Sequence, residues 1–414
     1  MYKVIRNKEL DFLGQSYSTV SPNLHKYPAT MLPQIGNYLL NELNANKGSM
    51  LDPYCGSGSS FVSGLQADFE RLVGYDLNPL AIHICQSKFT KINLNELKQQ
   101  IIKLREAVYE ALKKDSLSLL DNESDKITNF TYWFSAEVAR DLRLIKYFIN
   151  FIKKEGSKKF ISLAFAETVR ECSYTRSNEF KMYRIKEEQT LLFNPDVYGL
   201  FFAKLERNLA IYQSCYYPLL TEKRELNFHN NVFHNSNKKY DVVLTSPPYG
   251  DSKTTVAYGQ FSLFANAWAG IERANSLDNN LMGGKRAKTL FENSLINTQL
   301  WQINEQDDKR ALEISSFYYD LDSSIREVAK AVKLGGYAIY VVGNRLIKGI
   351  TLATDQFIAE RFERYGFKHL ITYQRLLSNK RMPVQNSPSN VKGIKANTML
   401  YEYAVVCTAV GNKS

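Results

Sequence analysis

No apolar run in the 414 residues approaches the ~20 that a membrane-spanning helix needs. The first residues, Met1 to Gly14, mix charged and apolar side chains and lack the continuous hydrophobic stretch of a signal peptide. The five cysteines (Cys55, Cys85, Cys172, Cys215 and Cys407) are scattered, odd in number, and never spaced as CxxC. That pattern excludes a disulfide-stapled secreted scaffold and indicates neither a zinc site nor a dithiol redox motif. The five histidines are isolated, so no metal is expected. Neither an internal repeat nor a low-complexity tract is present. These absences predict a cytoplasmic protein with reduced thiols and no membrane contact.

What is present is an ordinary globular composition, 44% hydrophobic and 23% charged. The length suits two domains, or one large α/β domain with insertions. Lys and Arg total 53 against 42 Asp and Glu, a net charge of +11. Such an excess favours a polyanionic partner, because clustered cations neutralise phosphates and release counterions.

Two strand–turn–helix units open the chain. Ser49 to Asp52 reads as a short buried strand, followed by a Gly/Ser turn and an amphipathic segment. Arg71 to Asp76 reads as a second strand, with Pro79 placed to start the next helix. Two such units in succession argue for a parallel sheet. Residues 90–232 carry helical periodicity without convincing strands and are expected to form a mostly helical insertion. Tyr240 to Thr245 resumes the sheet. Residues 250–310 are too long for an ordinary connector and are expected to be a functional loop or subdomain. Helices are expected over Ile314–Val332 and Asp355–Tyr365, with a strand at Gly335–Asn344 between them. Lys368–Gln374 and Met399–Thr408 read as an antiparallel pair around a basic loop.

Two stretches carry chemistry. In Asp52-Pro-Tyr-Cys-Gly-Ser-Gly58, glycines after a strand let the backbone approach a ligand at a helix N-terminus. Asp76 ends the next strand, where a carboxylate can accept both hydroxyls of a ribose. Together they point to a nucleoside-containing cofactor. In Thr245-Ser-Pro-Pro-Tyr249, Pro247 and Pro248 remove two N–H donors and leave acceptors exposed, with Tyr249 adjacent. Acceptors beside an aromatic face suit an exocyclic amino group on a stacked base. Holding both its hydrogens favours a pyramidal nitrogen with a free lone pair.

These motifs, in this order, resemble the S-adenosylmethionine-dependent amino-methyltransferases of DNA. His25 to Gln34, with Tyr27 and Pro28, resembles the family's N-terminal cofactor segment, and Leu334 to Asn344 resembles a later strand. The matches span about residue 22 to residue 408. The resemblance implies a Rossmann-like α/β sheet of about seven strands, mostly parallel with an antiparallel last strand, plus the helical insertion. A catalytic domain is expected over 1–89 and 233–414. It implies that Tyr27, Pro28, Asp52, Tyr54, Gly56, Gly58 and Thr245 line the cofactor site. Asp76 would bind the ribose, Leu77 and Asn78 would lie near the adenine, and Asn235 or Ser236 would contact its amino group. Ser246 and the Pro247 carbonyl would hold the target amino group, Pro248 would stiffen the turn, and Tyr249 would stack on a flipped base. The Ser at 246 points, by family habit, to cytosine N4, with adenine N6 as the alternative. Carbon methylation of cytosine is disfavoured, since it needs a cysteine nucleophile, usually in a Pro-Cys pair, and no such pair occurs.

Three stretches are candidates for duplex DNA. Thr168–Arg184 interleaves Arg170, Arg176, Lys181 and Arg184 with aromatics. Lys253, Lys285 and Arg286 lie in 250–310. Arg375, Lys380 and Arg381 belong to the basic loop near the expected base pocket. The resemblance further implies a restriction–modification setting, with a cognate endonuclease as partner. An RNA amino-methyltransferase and a catalytically silent DNA-binding subunit are the remaining rivals.

Overall fold

A computed structural model describes residues 1–16, 20–114, 127–176, 179–235, 237–251, 256–271, 274–377, 385–386, 396–397 and 399–411. Its main strands are β1 (Val4–Arg6), β2 (Ser49–Asp52), β3 (Arg71–Tyr75), β4 (Glu225–His229), β5 (Tyr240–Thr245), β6 (Val332–Gly343), β7 (Phe367–Leu376) and β8 (Tyr401–Ala409). They form one sheet in the order β1-β7-β8-β6-β5-β2-β3-β4. Only β8 runs against its neighbours, β6 and β7; the other pairs are parallel. The mostly parallel Rossmann-like sheet with an antiparallel last strand is therefore present, one strand larger than expected. Strand β1, which no sequence pattern marked, adds to the edge at β7, with Val4 opposite Thr372.

Alternation along the strands sorts side chains onto two apolar faces. Met50, Leu72, Val242, Leu244, Ile339 and Val341 enter one core. Leu51, Val73, Val243, Tyr340 and Val342 enter the other. The first core is covered by α1 (Pro33–Glu42), α2 (Ser59–Gln66), α3 (Pro79–Phe89), α4 (Leu94–Lys113), α5 (Ala136–Asn150), α6 (Glu155–Glu171), α7 (Val197–Ile211) and α8 (Tyr258–Trp268). The second is covered by α9 (Asn297–Gln306), α10 (Asp308–Ala331) and α11 (Thr354–Arg364).

Residues 90–232 depart from the expectation in two ways. Helices α4, α5 and α7 begin where side chains cap free N–H groups. Asn93 accepts from Asn95 and Glu96, Ser135 from Val138, and Asp196 from Gly199. Their apolar faces (Leu104, Phe160 and Phe201 among them) share one core with the sheet rather than closing a core of their own. The segment also contains β4, where no strand was expected. That edge strand is half-exposed and has only Leu226 and Phe228 as apolar residues, so no long hydrophobic run marks it. Residues 250–310 fold into α8, α9 and shorter turns rather than a plain loop. No helix among the described residues is long and apolar enough to cross a membrane.

The chain runs outward from β2 to β3 and β4 on one side, then returns to β5 and β6 on the other. The order therefore reverses between β2 and β5, and a ligand crevice belongs at the carboxyl ends of those two strands. Asp52 and Thr245 end them.

Candidate active site

Leu51 lies opposite Val243, so Asp52 and Thr245 finish side by side. Thr245 Oγ1 donates to Asp52 Oδ1 at 2.5 Å, and the Tyr54 N–H donates to the same oxygen at 2.9 Å. The Ser60 hydroxyl donates to Oδ2. Asp52 is 3% exposed, and burial outweighs these donors, pushing its carboxyl up to about 6. The turn that follows uses left-handed glycines, Gly56 at φ +47° and Gly58 at φ +83°. A Cβ on Gly58 would lie 2.5 Å from the Phe89 ring, so both conformation and packing demand glycine there. A Cβ on Gly56 would make only an ordinary contact, 3.6 Å from Tyr27 Cε1, so its left-handed φ is what favours glycine there.

Asp76 follows β3. Its Oδ2 accepts the Gly56 N–H at 2.9 Å and its Oδ1 accepts the Asn78 N–H at 2.8 Å. Burial again dominates and pushes its carboxyl up to about 6. Asn78 caps α3 by accepting the Leu80 N–H, accepts from Asn266 of α8 at 3.2 Å, and donates to Tyr27 Oη at 3.2 Å. The N-terminal segment and α8 meet at this asparagine. Pro28 is buried next to Tyr27, and Leu77 is half-buried after Asp76. Tyr54 donates its hydroxyl to Ser324 of α10.

Carboxyls raised by burial set a pH dependence of stability. Folded Asp52 and Asp76 bind protons more tightly than unfolded aspartate, so folding is favoured below the unfolded pKa. That contribution is lost as pH rises through about 6. Denaturant titrations of the ligand-free protein should show this gain on going from pH 7 to pH 5. Asp76→Asn should flatten part of it; an unchanged profile in that variant would contradict the raised titration of Asp76.

On the other side of Thr245, Ser246 Oγ donates to the Val341 carbonyl at 3.0 Å, with Tyr249 Oη 3.4 Å away. The Tyr249 hydroxyl donates to Glu402 Oε1 at 3.0 Å. Glu402 is ion-paired with Arg375, whose Nε donates to the Leu10 carbonyl at 2.6 Å. Gly343 packs against Met399 and the Tyr249 ring: a Cβ there would be 2.9 Å from Tyr249 Cδ2. Burial, then the Glu402 charge, raise the Tyr249 phenol well above its usual range, so it stays a neutral donor. Glu402 was not singled out from the sequence. Arg375 was expected in a basic loop; it is 4% exposed within β7, because Glu402 on the neighbouring strand neutralises it.

The remaining expected residues divide by position. The Asn235 N–H donates to Glu327 of α10, and its Oδ1 is buried without a partner among the described residues. The residue beside Asp76 is Asn230, at the end of β4, whose side-chain amide donates to the Asp76 carbonyl at 2.9 Å. Arg170 spends its guanidinium on the carbonyls of Phe261 and Glu179, and Arg184 donates to the Tyr132 carbonyl and pairs with Glu187. Arg176, Lys285 and Arg286 are exposed, and Lys181 is half-exposed. Ser236, Lys253, Lys380 and Arg381 lie outside the described residues. Among the described residues, no group of three or more His, Cys, Asp or Glu could hold a metal ion.

The chain matches no family model. It is 36% identical over 439 residues to the type II methyltransferase M.MvaI of Kocuria varians, covering 99% of this chain and 95% of that protein. It is 21% identical over 313 residues to the type II methyltransferase M.MjaII of Methanocaldococcus jannaschii, covering 55% and 58%. The solved structure of TTHA0409 from Thermus thermophilus, complexed with S-adenosyl-L-methionine, is 17% identical at a TM-score of 0.20, over 44% of this chain and 49% of that one. That superposition is too loose to bear on the fold. The relationship to M.MvaI extends through both motif-bearing strand ends and nearly the whole chain, and the chain belongs to the type II methyltransferases.

Proposed function

We propose that the chain transfers a methyl group from S-adenosylmethionine to the exocyclic N4 of a flipped cytosine in duplex DNA. The observation that carries this reading is the Thr245–Asp52 hydrogen bond, which joins the glycine-turn motif to the amino-group motif at adjacent strand ends. The residues fit the cofactor. Asp76 has a half-buried carboxylate just after β3, and its Oδ2 holds the glycine turn through the Gly56 N–H. S-adenosylmethionine supplies a methyl group carried on a positively charged sulfur.

Asp76 would accept the ribose hydroxyls, and Asp52 would hold the turn through Tyr54, Ser60 and Thr245. Asn235 or Ser236 would contact the adenine amino group, and Asn230, beside Asp76, is a further candidate for the adenine end. Ser246 Oγ and the Pro247 carbonyl would each accept a hydrogen of the target amino group. The nitrogen lone pair then points at the methyl carbon, and positioning supplies most of the rate. Tyr249 would stack on the base, held upright by Glu402.

For the duplex, Arg176, Lys181, Lys285 and Arg286 would face phosphates, while Arg170 and Arg184 brace the segment from inside. A cognate restriction endonuclease is the partner this setting implies. The test is incubation with S-adenosylmethionine and unmethylated duplex DNA, followed by mass spectrometry of the nucleosides. N4-methylcytosine is expected. N6-methyladenine would keep the site and move the target base. No methylated nucleoside, with DNA still bound, would overturn the reading in favour of RNA or a silent subunit.

A further inference from the structure

Side chains hold the turn that carries Ser246 and Tyr249. β5 ends at Thr245, and Pro247 and Pro248 have no N–H to pair. Ser246 fixes the start of the turn on the Val341 carbonyl, and Tyr249 fixes its middle on Glu402. Its end is fixed by Asp251, which belongs to neither motif and is 2% exposed. Asp251 Oδ2 accepts from Arg310 Nη2 at 2.9 Å and from Arg345 Nη1 at 3.2 Å. The two arginine side chains are 14% and 18% exposed. Arg310 lies in the first turn of α10, where Asp307 caps its N–H, and it also pairs with Glu313 at 2.7 Å. Arg345 lies two residues beyond β6, and its carbonyl accepts the Leu352 N–H at 2.9 Å.

Arg345 also lies directly against the backbone of the turn. A Cβ on Gly250 would be 1.9 Å from its Nη1 and 2.6 Å from its Cδ. Gly283 closes on the same place, where a Cβ would be 2.9 Å from the Asp251 Cβ. Taking a carboxylate and two guanidiniums out of water is costly, and a packed apolar cluster could stabilise the fold as well. What the charged cluster adds is direction, because each guanidinium fork donates along fixed lines. Two separate elements thus fix one carboxylate oxygen, two residues from the Tyr249 ring. Placement matters here, since a displacement of about 1 Å can cost about 100-fold in rate. The hydrogen bonds of Asp76 and Asn78 described above involve none of Asp251, Arg310 and Arg345.

We propose that Asp251, clamped between Arg310 and Arg345, is the positioning residue that sets the Ser246–Tyr249 turn and so places the target amino group against the methyl donor. The proposal rests on the methyl-transfer reading above. It makes the base-side half of the site depend on a carboxylate that acts through the turn rather than on the base.

The test is single-turnover methyl transfer to duplex DNA by the full chain, read beside the affinities for S-adenosylmethionine and for DNA. Asp251→Asn keeps the size and removes the charge, and should slow transfer about 100-fold. Arg345→Lys keeps a charge but loses the fork, and should slow it about tenfold. Gly250→Ala leaves every charge in place but drives the Arg345 guanidinium off its seat, and should also cost about tenfold. Both affinities should stay within about twofold in all three variants. Asp251→Asn combined with Arg345→Lys should be no slower than Asp251→Asn alone, because the contact is already broken. An unchanged rate in Asp251→Asn would overturn the proposal. So would a parallel fall of rate and S-adenosylmethionine affinity, which would make the cluster a support of the fold alone. If Asp251→Asn fails to fold, Arg345→Lys and Gly250→Ala decide by the same criteria. A wild type that binds both ligands and methylates nothing would instead overturn the methyl-transfer reading, and this proposal with it.

Discussion

Tyr249→Ala should lower single-turnover methyl transfer by about 100-fold or more, with S-adenosylmethionine affinity held within about twofold. Stacking of one base on an aromatic ring contributes about 1–3 kcal/mol, and a misplaced nucleophile costs further in rate. The cofactor side is insulated from this change, because Asp52, Asp76 and Asn78 make no hydrogen bond to Tyr249. Alanine would leave Glu402 with one donor fewer but still paired with Arg375. Tyr249→Phe separates the two roles of the side chain. It keeps the ring on Gly343 and removes the bond to Glu402, so its loss should be smaller, about tenfold or less. Quench-flow rates and calorimetry on the same preparations check both variants. A parallel collapse of rate and cofactor affinity in Tyr249→Ala would count against stacking and for a structural role.

Asp76→Ala should act on the opposite half of the site. A charge-assisted pair of hydrogen bonds from ribose is worth roughly 1.5–3 kcal/mol, which corresponds to about 10- to 150-fold in Kd. The same carboxylate accepts the N–H groups of Gly56 and Asn78, so its removal also loosens the glycine turn. Asp76→Asn retains an acceptor but no charge, and should fall between wild type and alanine. Wild-type cofactor affinity should weaken as pH falls through about 6, where the Asp76 carboxyl takes up its proton. The apo protein gains stability over that same interval, so binding and folding should move in opposite directions with pH. The variant lacking the carboxylate should lose that binding slope; a slope that persists in Asp76→Ala would assign the titration elsewhere.

The residues legible in the sequence share one property: their chemistry is local. Left-handed glycines after a strand, an acid at a strand end, and two prolines before an aromatic announce themselves within a few positions. The residues that were not legible act across the chain. Glu402 lies 153 positions from the tyrosine it holds, and Asn266 lies 188 from Asn78. Arg375 looked like a phosphate-facing cation because nothing near it in the chain is acidic. Only the antiparallel pairing of β7 with β8 brings Glu402 against it. The strand β4 escaped notice for a related reason. At the sheet edge it needs only Leu226 and Phe228 to hold it, too few to show a period.

By itself the sequence determined the two chemical motifs, the parallel strand–turn–helix units that present them, and the antiparallel end of the sheet. Backbone conformation and side-chain type act over a few residues, and both are written there directly. Only the tertiary structure decided that the motifs end adjacent strands and share the Thr245–Asp52 bond. It also decided that α8 packs on Tyr27 and Asn78 and that the helical segment joins the sheet's own core. Those outcomes depend on which distant surfaces bury each other, and apolar burial is non-directional, so no short stretch of chain encodes its partner.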